Sequence, residues 1–179
     1  MKVGTCLNPL HTALAVLGCL LGFHKISDEM ADDDLSEFVE RLGYVESLPV
    51  VQDPGVLSPK QFLDEVIKLR LPNPFLPDTP QRIAADTSQK LAIRFGHTIA
   101  ATQDKSTLHC VPFVFAAWLR YLTGVDDEGN TFTPSPDPRL DEVRARMAGG
   151  LSDELLSDET LFGCDLVQNG MAAVVRAKF

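Results

Sequence analysis

The apolar run at residues 10–21 constrains the fold more than any other feature of the sequence. It follows Asn8-Pro9, a pair typical of a helix start, because Asn is a favoured N-cap and Pro lacks only a donor that the first turn leaves unbonded. Gly22 comes directly after the run, where helices commonly end. The pattern predicts a buried helix over residues 10–21, with polar groups at its amino-terminal end.

Further helix patterns follow, and alternating strand patterns are nearly absent, so the fold class is predicted to be mostly α. Ser58-Pro59 repeats the signal of a cap followed by proline, whereas residues 71–80 contain four prolines and cannot be helical throughout. We expect this stretch to be a rigid, packed loop, because it also carries Leu71, Phe75 and Leu76. Helices are predicted at residues 10–21, 27–41, 58–70, 80–86, 88–102, 107–122, 139–148, 152–156 and 165–178.

Length, charge and cysteine usage narrow the class of protein. The 179 residues, 45% of them hydrophobic, suit one domain spanning residues 1–179, and a formal net charge of −9 argues against a nucleic-acid surface. The apolar stretch 12–23 is too short to cross a bilayer. The four cysteines lack C-x-x-C pairing and metal-ligand spacing, which is typical of reduced thiols. We therefore expect a cytoplasmic protein with no metal site and no membrane or nucleic-acid partner.

Two polar residues, Asn8 and His11, lie at the start of the first predicted helix. Asn8 by itself is explained by capping, and His11 by itself is explained as a satisfied histidine in the core or at the surface. Because they are three residues apart, they share one side of the helix and together offer an amide and an imidazole to a hydroxyl or carbonyl group. The spacing is compatible with a binding site and with either simpler explanation.

Arg82 and Lys90 form a second candidate site. They are eight residues apart, about two helical turns, so an unbroken helix would direct both side chains toward one pocket. Asp78 or Thr79 would cap the start of that helix. The alternative is a solvated basic face. A third pattern, Gly18-x-x-x-Gly22, predicts a close packing contact between helices and no chemistry.

The signatures of a self-sufficient enzyme are missing from the sequence. It contains no G-x-G-x-x-G after a strand, no Walker loop, no H-E-x-x-H and no G-x-S-x-G. As an enzyme, the chain is therefore expected to supply only part of an active site.

Three ordered blocks nevertheless resemble the long-chain polyol dehydrogenases, a family that includes mannitol dehydrogenases and hexuronate reductases. KVGTCLNPLHTAL (2–14) is similar to the family signature K-x(4)-N-x-x-H. RLPNPFLPDTPQRIAADTSQKLAIRF (70–95) is similar to R-F-x-N-P…D-T-x-x-R-I…S-x-K, and AAWLRYLTGVDDEGNTFTPSPDP (116–138) to A-x-W-x-R-Y-x-x-G-x-D-x-x-G. The blocks cover almost the whole chain in the family's order.

The resemblance implies the mostly helical carboxy-terminal domain of such an enzyme, with the active site facing a dinucleotide-binding domain that this chain does not contain. It implies a metal-independent, NAD- or NADP-dependent alcohol dehydrogenase in which Lys2 is the general base. Asn8 would then polarise the reacting oxygen and His11 would hold the substrate, while Arg82 and Lys90 align with substrate-binding positions. No cofactor-binding residue is expected here, and the chain alone is expected to be inactive.

Lys2 departs from the spacing of the family signature. Five residues separate it from Asn8, against four in the signature. In extended backbone, one additional residue turns a side chain to the opposite face, and a bulge at Gly4 would restore its direction.

Two functions from different classes remain open. The first is the substrate-binding and catalytic domain of an oxidoreductase that interconverts a polyol or aldonate with a ketose or ketohexuronate. The second is a non-catalytic helical binding or oligomerisation module. Within the first, NPLHTAL is closer to the N-G-x-H-T-A-L of the hexuronate reductases than to the mannitol enzymes, and Arg82 and Lys90 suit a carboxylate or a phosphate as well as hydroxyls.

Overall fold

The computed structural model describes residues 3–53, 55 and 58–179, and that part of the chain is built from α-helices. It contains no strand, only one antiparallel bridge between Val125 and Thr131, so the prediction of a mostly α fold is confirmed. The helices are α1 (Asn8–Leu20), α2 (Ile26–Glu29), α3 (Asp33–Glu40), α4 (Pro59–Glu65), α5 (Pro80–Ala84), α6 (Leu91–Ala101), α7 (Cys110–Leu122), α8 (Leu140–Met147), α9 (Asp153–Leu156), α10 (Glu159–Phe162) and α11 (Ala172–Lys178). Three π-helical turns adjoin them, at Val3–Leu7, Arg41–Ser47 and Val66–Arg70.

Several predicted boundaries differ from the structure. The helix predicted at 27–41 is divided into α2 and α3, because the Asp32 side chain accepts from the N–H of Leu35 at 3.0 Å and starts a new helix. The helix predicted at 165–178 begins only at α11, after Gly170 with its φ of 75°. Phe75 is 93% exposed, so the prediction that it packs into its loop is wrong, whereas Leu71 is buried as expected.

Helix α1 lies at the centre of the fold. It packs against α2, α3, α5, α6 and α7, and eleven of its thirteen residues are buried. Together with the π-helical turn before it, Val3–Leu20 is long and apolar enough to cross a membrane, but 78% of this run is buried inside the fold. Such burial is also expected of a core helix that is apolar on most sides.

Gly18 permits the close approach of α2 to α1. The Glu29 carboxyl group lies where a methyl group on Gly18 would be, which confirms the predicted close packing at Gly18. It is not confirmed at Gly22, because no atom from another part of the described chain lies within 4 Å of the position of a Cβ there. Glu29 is fully buried, and within the described part of the chain neither of its carboxyl oxygens has a hydrogen-bond partner. Burial, with a smaller contribution from Asp28, raises the pKa of Glu29 to about 9.

Glu46 is also buried, but its carboxylate is fully bonded. It accepts from the backbone N–H groups of His109, Cys110 and Val111 at 2.7, 2.6 and 3.0 Å. These are donors at the amino terminus of α7, where a negative charge is favourable. Glu46 therefore ties the Arg41–Ser47 turn to the start of α7.

The two buried glutamates are expected to respond to the same substitution with opposite signs. The pKa of Glu29 is about 9 in the folded state and 4.5 as a free group, so the fold loses stability as the pH rises between these values. Glu29→Gln removes that loss and should stabilise the protein at pH 8 by on the order of 1–3 kcal/mol. Glu46→Gln removes a charge-assisted cap and should cost about 1–3 kcal/mol at the same pH.

Urea denaturation of both variants at pH 5 and pH 8 checks these signs. The advantage of Glu29→Gln over the wild type should shrink at pH 5. The acid is protonated in the folded state at both pH values, but the unfolded chain, in which its pKa is 4.5, gains much less from ionisation at pH 5 than at pH 8. A Glu29→Gln variant less stable than the wild type at pH 8 would show that the carboxyl group is charged and stabilised in the fold.

Candidate functional site

His11 lies in the first turn of α1 and faces the segment that leads into α5. Its side chain is only 14% exposed, and its Nε2 lies 3.7 Å from Oδ2 of Asp78, beyond hydrogen-bond distance. Within the described part of the chain, Nε2 has no hydrogen-bond partner. Asp78 in turn forms an ion pair with Nη2 of Arg82. The imidazole therefore keeps an unbonded nitrogen at the edge of a charged pair.

The surroundings of His11 keep its imidazole neutral. Its pKa is lowered to about 4, mainly by burial; Asp78 opposes this effect, and the positive charges of Arg70, Arg94 and Arg82 add to it. A neutral imidazole has one N–H donor and one acceptor nitrogen. His11 is therefore able to bind a hydroxyl group as donor or as acceptor at physiological pH.

Asn8 is the first residue of α1, one turn before His11. The prediction that Asn8 caps the helix is wrong, because Leu7 before it is already helical and the helical backbone extends back to Val3. No hydrogen bond to its side-chain amide occurs among the described residues. Its main-chain oxygen accepts from Oγ1 of Thr12 at 3.0 Å and from Nη1 of Arg94 at 3.4 Å. Capping therefore does not account for an asparagine at this position.

Arg82 and Lys90 do not lie on one unbroken helix, so the condition under which both side chains would face one pocket is not met. Helix α5 ends at Ala84, and Asp86 adopts a left-handed conformation with φ 54° before a short 3₁₀ turn leads to Lys90. Arg82 is 61% exposed and reaches Asp78. Of the two predicted caps for α5, Thr79 is the one that accepts the N–H of Arg82, at 3.2 Å.

Lys90 lies at the opposite end of α5. Its Nζ donates to the main-chain oxygens of Ile83, at 3.2 Å, and Ala85, both at the carboxy-terminal end of that helix. Burial, followed by the charge of Arg94, lowers its pKa. The structure therefore gives Lys90 a capping contact, and it brings Lys90 near Arg94 rather than beside Arg82.

Sequence reasoning missed three charged residues that surround His11. Asp78 is its nearest carboxylate, Arg94 lies one helical turn after Lys90, and Arg70 ends the π-helical turn after α4. All three fall within the quoted block 70–95, but no spacing in the sequence shows that residues 70, 78 and 94 meet at residue 11. Their convergence follows from the packing of α5 and α6 against α1.

Exposed apolar side chains accompany the charged residues of this site. Leu69 precedes Arg70, Ile93 precedes Arg94, and Phe75 lies in the loop before Asp78, and all three are largely exposed. A groove of about 680 Å³ lies elsewhere, lined by residues such as Leu35, Phe113 and Phe179, and includes none of the candidate residues. The candidate residues therefore lie apart from this groove.

Lys2 lies outside the described residues, so its position is not given. The residues directly after it, Val3–Leu7, form a π-helical turn, so the backbone there is not extended and a bulge at Gly4 does not arise. In the described part of the chain, no group of three or more His, Cys, Asp and Glu side chains is arranged to hold a metal ion.

Comparison with known proteins identifies the family. Residues 1–178 match the mannitol dehydrogenase C-terminal domain. The chain belongs to this family. The resemblance predicted from the three sequence blocks is thereby confirmed, and the fold is that of the helical carboxy-terminal part of these enzymes.

Relatives of known description are oxidoreductases. The chain is 50% identical over 194 residues to the D-mannonate oxidoreductase of Thermotoga maritima, covering 100% of this chain and 36% of that protein. It is 37% identical over 164 residues to the mannitol 2-dehydrogenase of Aspergillus niger, covering 89% of this chain and 33% of that protein. The chain thus spans about a third of the length of these relatives.

The fold is shared with a solved mannitol dehydrogenase. The Pseudomonas fluorescens mannitol 2-dehydrogenase, in a ternary complex with NAD and D-mannitol, superimposes with a TM-score of 0.85 at 24% identity. The match covers 99% of this chain and 37% of that one. At this identity the likeness establishes the helical fold alone.

The neutral state of His11 predicts an acid-sensitive contribution to stability. Its folded-state pKa lies below its free value, so the unfolded chain takes up the proton first as the pH falls from 6.5 to about 4, and stability is lost over that range. A His11→Asn variant lacks this term. Its free energy of unfolding should therefore fall less than that of the wild type between pH 7 and pH 5, as measured by urea denaturation. Equal losses in both proteins would mean that His11 titrates normally.

Proposed function

We propose that the chain, as one domain over residues 1–179, is the substrate-binding and catalytic part of an NAD- or NADP-dependent oxidoreductase. The reaction would interconvert a polyol or aldonate with a ketose or ketohexuronate. Membership of the mannitol dehydrogenase family and the names of the relatives support this reaction class. One observation carries the proposal: a neutral His11 with a buried, unbonded Nε2 lies one turn from Asn8, whose amide has no structural partner among the described residues.

Asn8 and His11 are suited to bind the reacting alcohol. The side-chain amide of Asn8 would donate to the alcohol oxygen and stabilise the negative charge that develops on it. The neutral imidazole of His11 would hold a hydroxyl group and fix the orientation of the sugar. Both residues belong to the first turn of a helix that is otherwise buried, so their backbone is held rigidly.

Lys2 is the proposed general base. It would take the hydroxyl proton when the alcohol is oxidised and return it in the reverse direction. Bound nicotinamide would accept the hydride from the same carbon atom. The sequence has no glycine-rich turn to bind the phosphates of this cofactor. We therefore propose that a separate dinucleotide-binding domain makes most of the contacts with the cofactor and faces His11.

The π-helical turn at Val3–Leu7 supports the role of Lys2. A π-helical turn closes i→i+5 bonds and so contains about one residue more than an α-helical turn. It therefore accommodates the additional residue between Lys2 and Asn8, and the spacing of five residues remains compatible with the proposed role of Lys2.

The charges around His11 favour a sugar acid over a neutral polyol as substrate. Arg70, Arg82 and Arg94 surround His11 with only Asp78 opposing them, although the chain as a whole carries a formal charge of −9. A carboxylate would gain charge-assisted hydrogen bonds from such a group. The Thermotoga relative, half of whose aligned residues are identical, is a D-mannonate oxidoreductase, and this supports the same substrate class.

A chimeric enzyme tests the proposed function. The matched third of the Thermotoga oxidoreductase would be replaced by this chain, and reduction of D-fructuronate by NADH would be followed by absorbance. We expect turnover with His24→Ala, an exposed control. His11→Ala should lower kcat/KM by about 10- to 100-fold, as expected for a lost positioning hydrogen bond. Lys2→Ala should lower kcat with little change in KM.

The opposite outcome points to the alternative function. If the chimera folds, binds NADH and is inactive, or if His11→Ala equals His24→Ala, the chain is better explained as a helical binding or oligomerisation module.

Arg82 provides a test of the substrate class. Its guanidinium is largely exposed and bound only to Asp78 in the described structure, so it is free to reorganise around a substrate carboxylate. In the chimera, Arg82→Gln should raise KM for fructuronate at least tenfold and leave KM for fructose nearly unchanged, because only the acid loses a charge-assisted contact. Equal increases for both substrates would indicate hydroxyl binding and a polyol enzyme.

A further inference from the structure

Arg94 makes the polar contact that joins α6 to the first turn of α1. Its Nη1 donates to Oγ1 of Thr12 at 2.5 Å and to the main-chain oxygen of Asn8 at 3.4 Å. The hydroxyl of Thr12 donates to the same oxygen at 3.0 Å. Thr12 is buried, so the three groups form one shielded network between the two helices.

This network lies where the helical backbone of α1 is interrupted. Pro9 has no N–H and leaves a gap in the hydrogen-bond ladder, and the π-helical turn Val3–Leu7 gives way to α1 at the same point. Asn8 and His11 lie on either side of Pro9. A contact from α6 at this junction therefore determines where both of these side chains are held.

Stability of the fold does not by itself explain an arginine at position 94. Arg94 is half-buried and lies in the first turn of α6, where the helix dipole disfavours a positive charge. Both of its acceptors are neutral oxygens, and it forms no ion pair among the described residues. A guanidinium without a carboxylate partner is costly to bury, and local costs of this kind are typical of functional sites.

We propose that Arg94 is a positioning residue of the substrate site, which ties Asn8 and Thr12 to α6 and thereby fixes Asn8 and His11 for substrate binding. This inference rests on the proposed function, and it gives Arg94 no contact with the substrate. The charge of Arg94 also acts on His11, together with Arg70 and Arg82 and against Asp78. Arg94 therefore holds the first turn of α1 in place and adds to the lowering of the His11 pKa, of which burial is the main cause.

Three substitutions separate the charge of Arg94 from its hydrogen bonds. Arg94→Lys keeps the charge and one donor, Arg94→Gln keeps a donor without the charge, and Arg94→Met keeps neither. Arg144 supplies the matched control, because its Nε donates to the main-chain oxygen of Leu122 at 2.5 Å, away from His11. Arg144→Lys and Arg144→Met should therefore report only the structural cost of losing such a contact.

The first readout is the titration of the His11 ring in the 179-residue chain, followed by NMR with His24, His97 and His109 as internal references. Arg94→Gln and Arg94→Met should make His11 titrate at higher pH and shift the amide signals of Thr12 and its neighbours. Arg94→Lys should keep a titration close to that of the wild type, and the Arg144 variants should leave it unchanged. If Arg94→Gln does not fold, the NMR signal of the Thr12 amide in Arg94→Lys is used instead. A shifted signal supports the inference, and an unchanged signal contradicts it.

The second readout is the kinetics of the chimera. Arg94→Met should lower kcat/KM about tenfold or more, with partial recovery in Arg94→Lys and less than a twofold effect in Arg144→Met. Arg94 is merely structural, and the inference is overturned, if Arg94→Met lowers the melting temperature as Arg144→Met does but leaves the His11 titration and the kinetics unchanged.

The two proposals fail in different ways. If His11→Ala leaves turnover unchanged, the proposed function is wrong whatever the Arg94 variants do. If His11→Ala lowers turnover and Arg94→Met does not, only the positioning role of Arg94 is overturned.

Discussion

The burial of α1 by five surrounding helices is the constraint on which the rest of the structure depends. Because eleven of its thirteen residues are buried, its position leaves little freedom to the side chains of its first turn. Asn8 and His11 belong to that turn, next to Pro9 and the π-helical Val3–Leu7. The core of the domain therefore also acts as the rigid support of the candidate site.

The electrostatics of the site differ from those of the surface as a whole. The protein is acidic as a whole, yet Arg70, Arg82 and Arg94 all lie around the neutral His11. The negative charge of Asp78 offsets their positive charge only in part. Elsewhere, arginines are paired more completely, as where Arg139 and Arg146 both reach Asp158. The excess of positive charge beside a buried, unbonded nitrogen is the observation that supports our proposal of an anionic sugar as substrate.

Sequence patterns predicted a helix well where the signals for its bounds and its burial lie within the helix itself. The apolar run at 10–21 gives α1 to within two residues, because its periodicity and its glycine boundary are local signals. The break between α5 and α6 was predicted near residue 87, but the left-handed conformation of Asp86 was not, because an aspartate carries no local signal of the kind a glycine gives. Phe75 was predicted to be packed but is exposed. The prediction failed because the sequence of a proline-rich loop does not show which way its apolar side chains face.

The candidate site was predictable only in part, for a related reason. Asn8 and His11 lie on one helix, so their spacing was sufficient to bring them together. Asp78 and Arg94 reach His11 and Asn8 through tertiary packing, which no spacing encodes. The family signature therefore pointed to the candidate residues Asn8 and His11, and the structure was needed to show which charged residues surround His11.

The central claim is that this chain supplies the sugar side of the active site and not the dinucleotide side. Isothermal titration of the isolated chain with NADH tests it most directly, with the intact Thermotoga oxidoreductase titrated in parallel as the binding control. We predict measurable binding for the intact enzyme and no measurable heat for the chain at millimolar NADH, because its sequence lacks a phosphate-binding turn. Micromolar affinity of the isolated chain for NADH would contradict the claim.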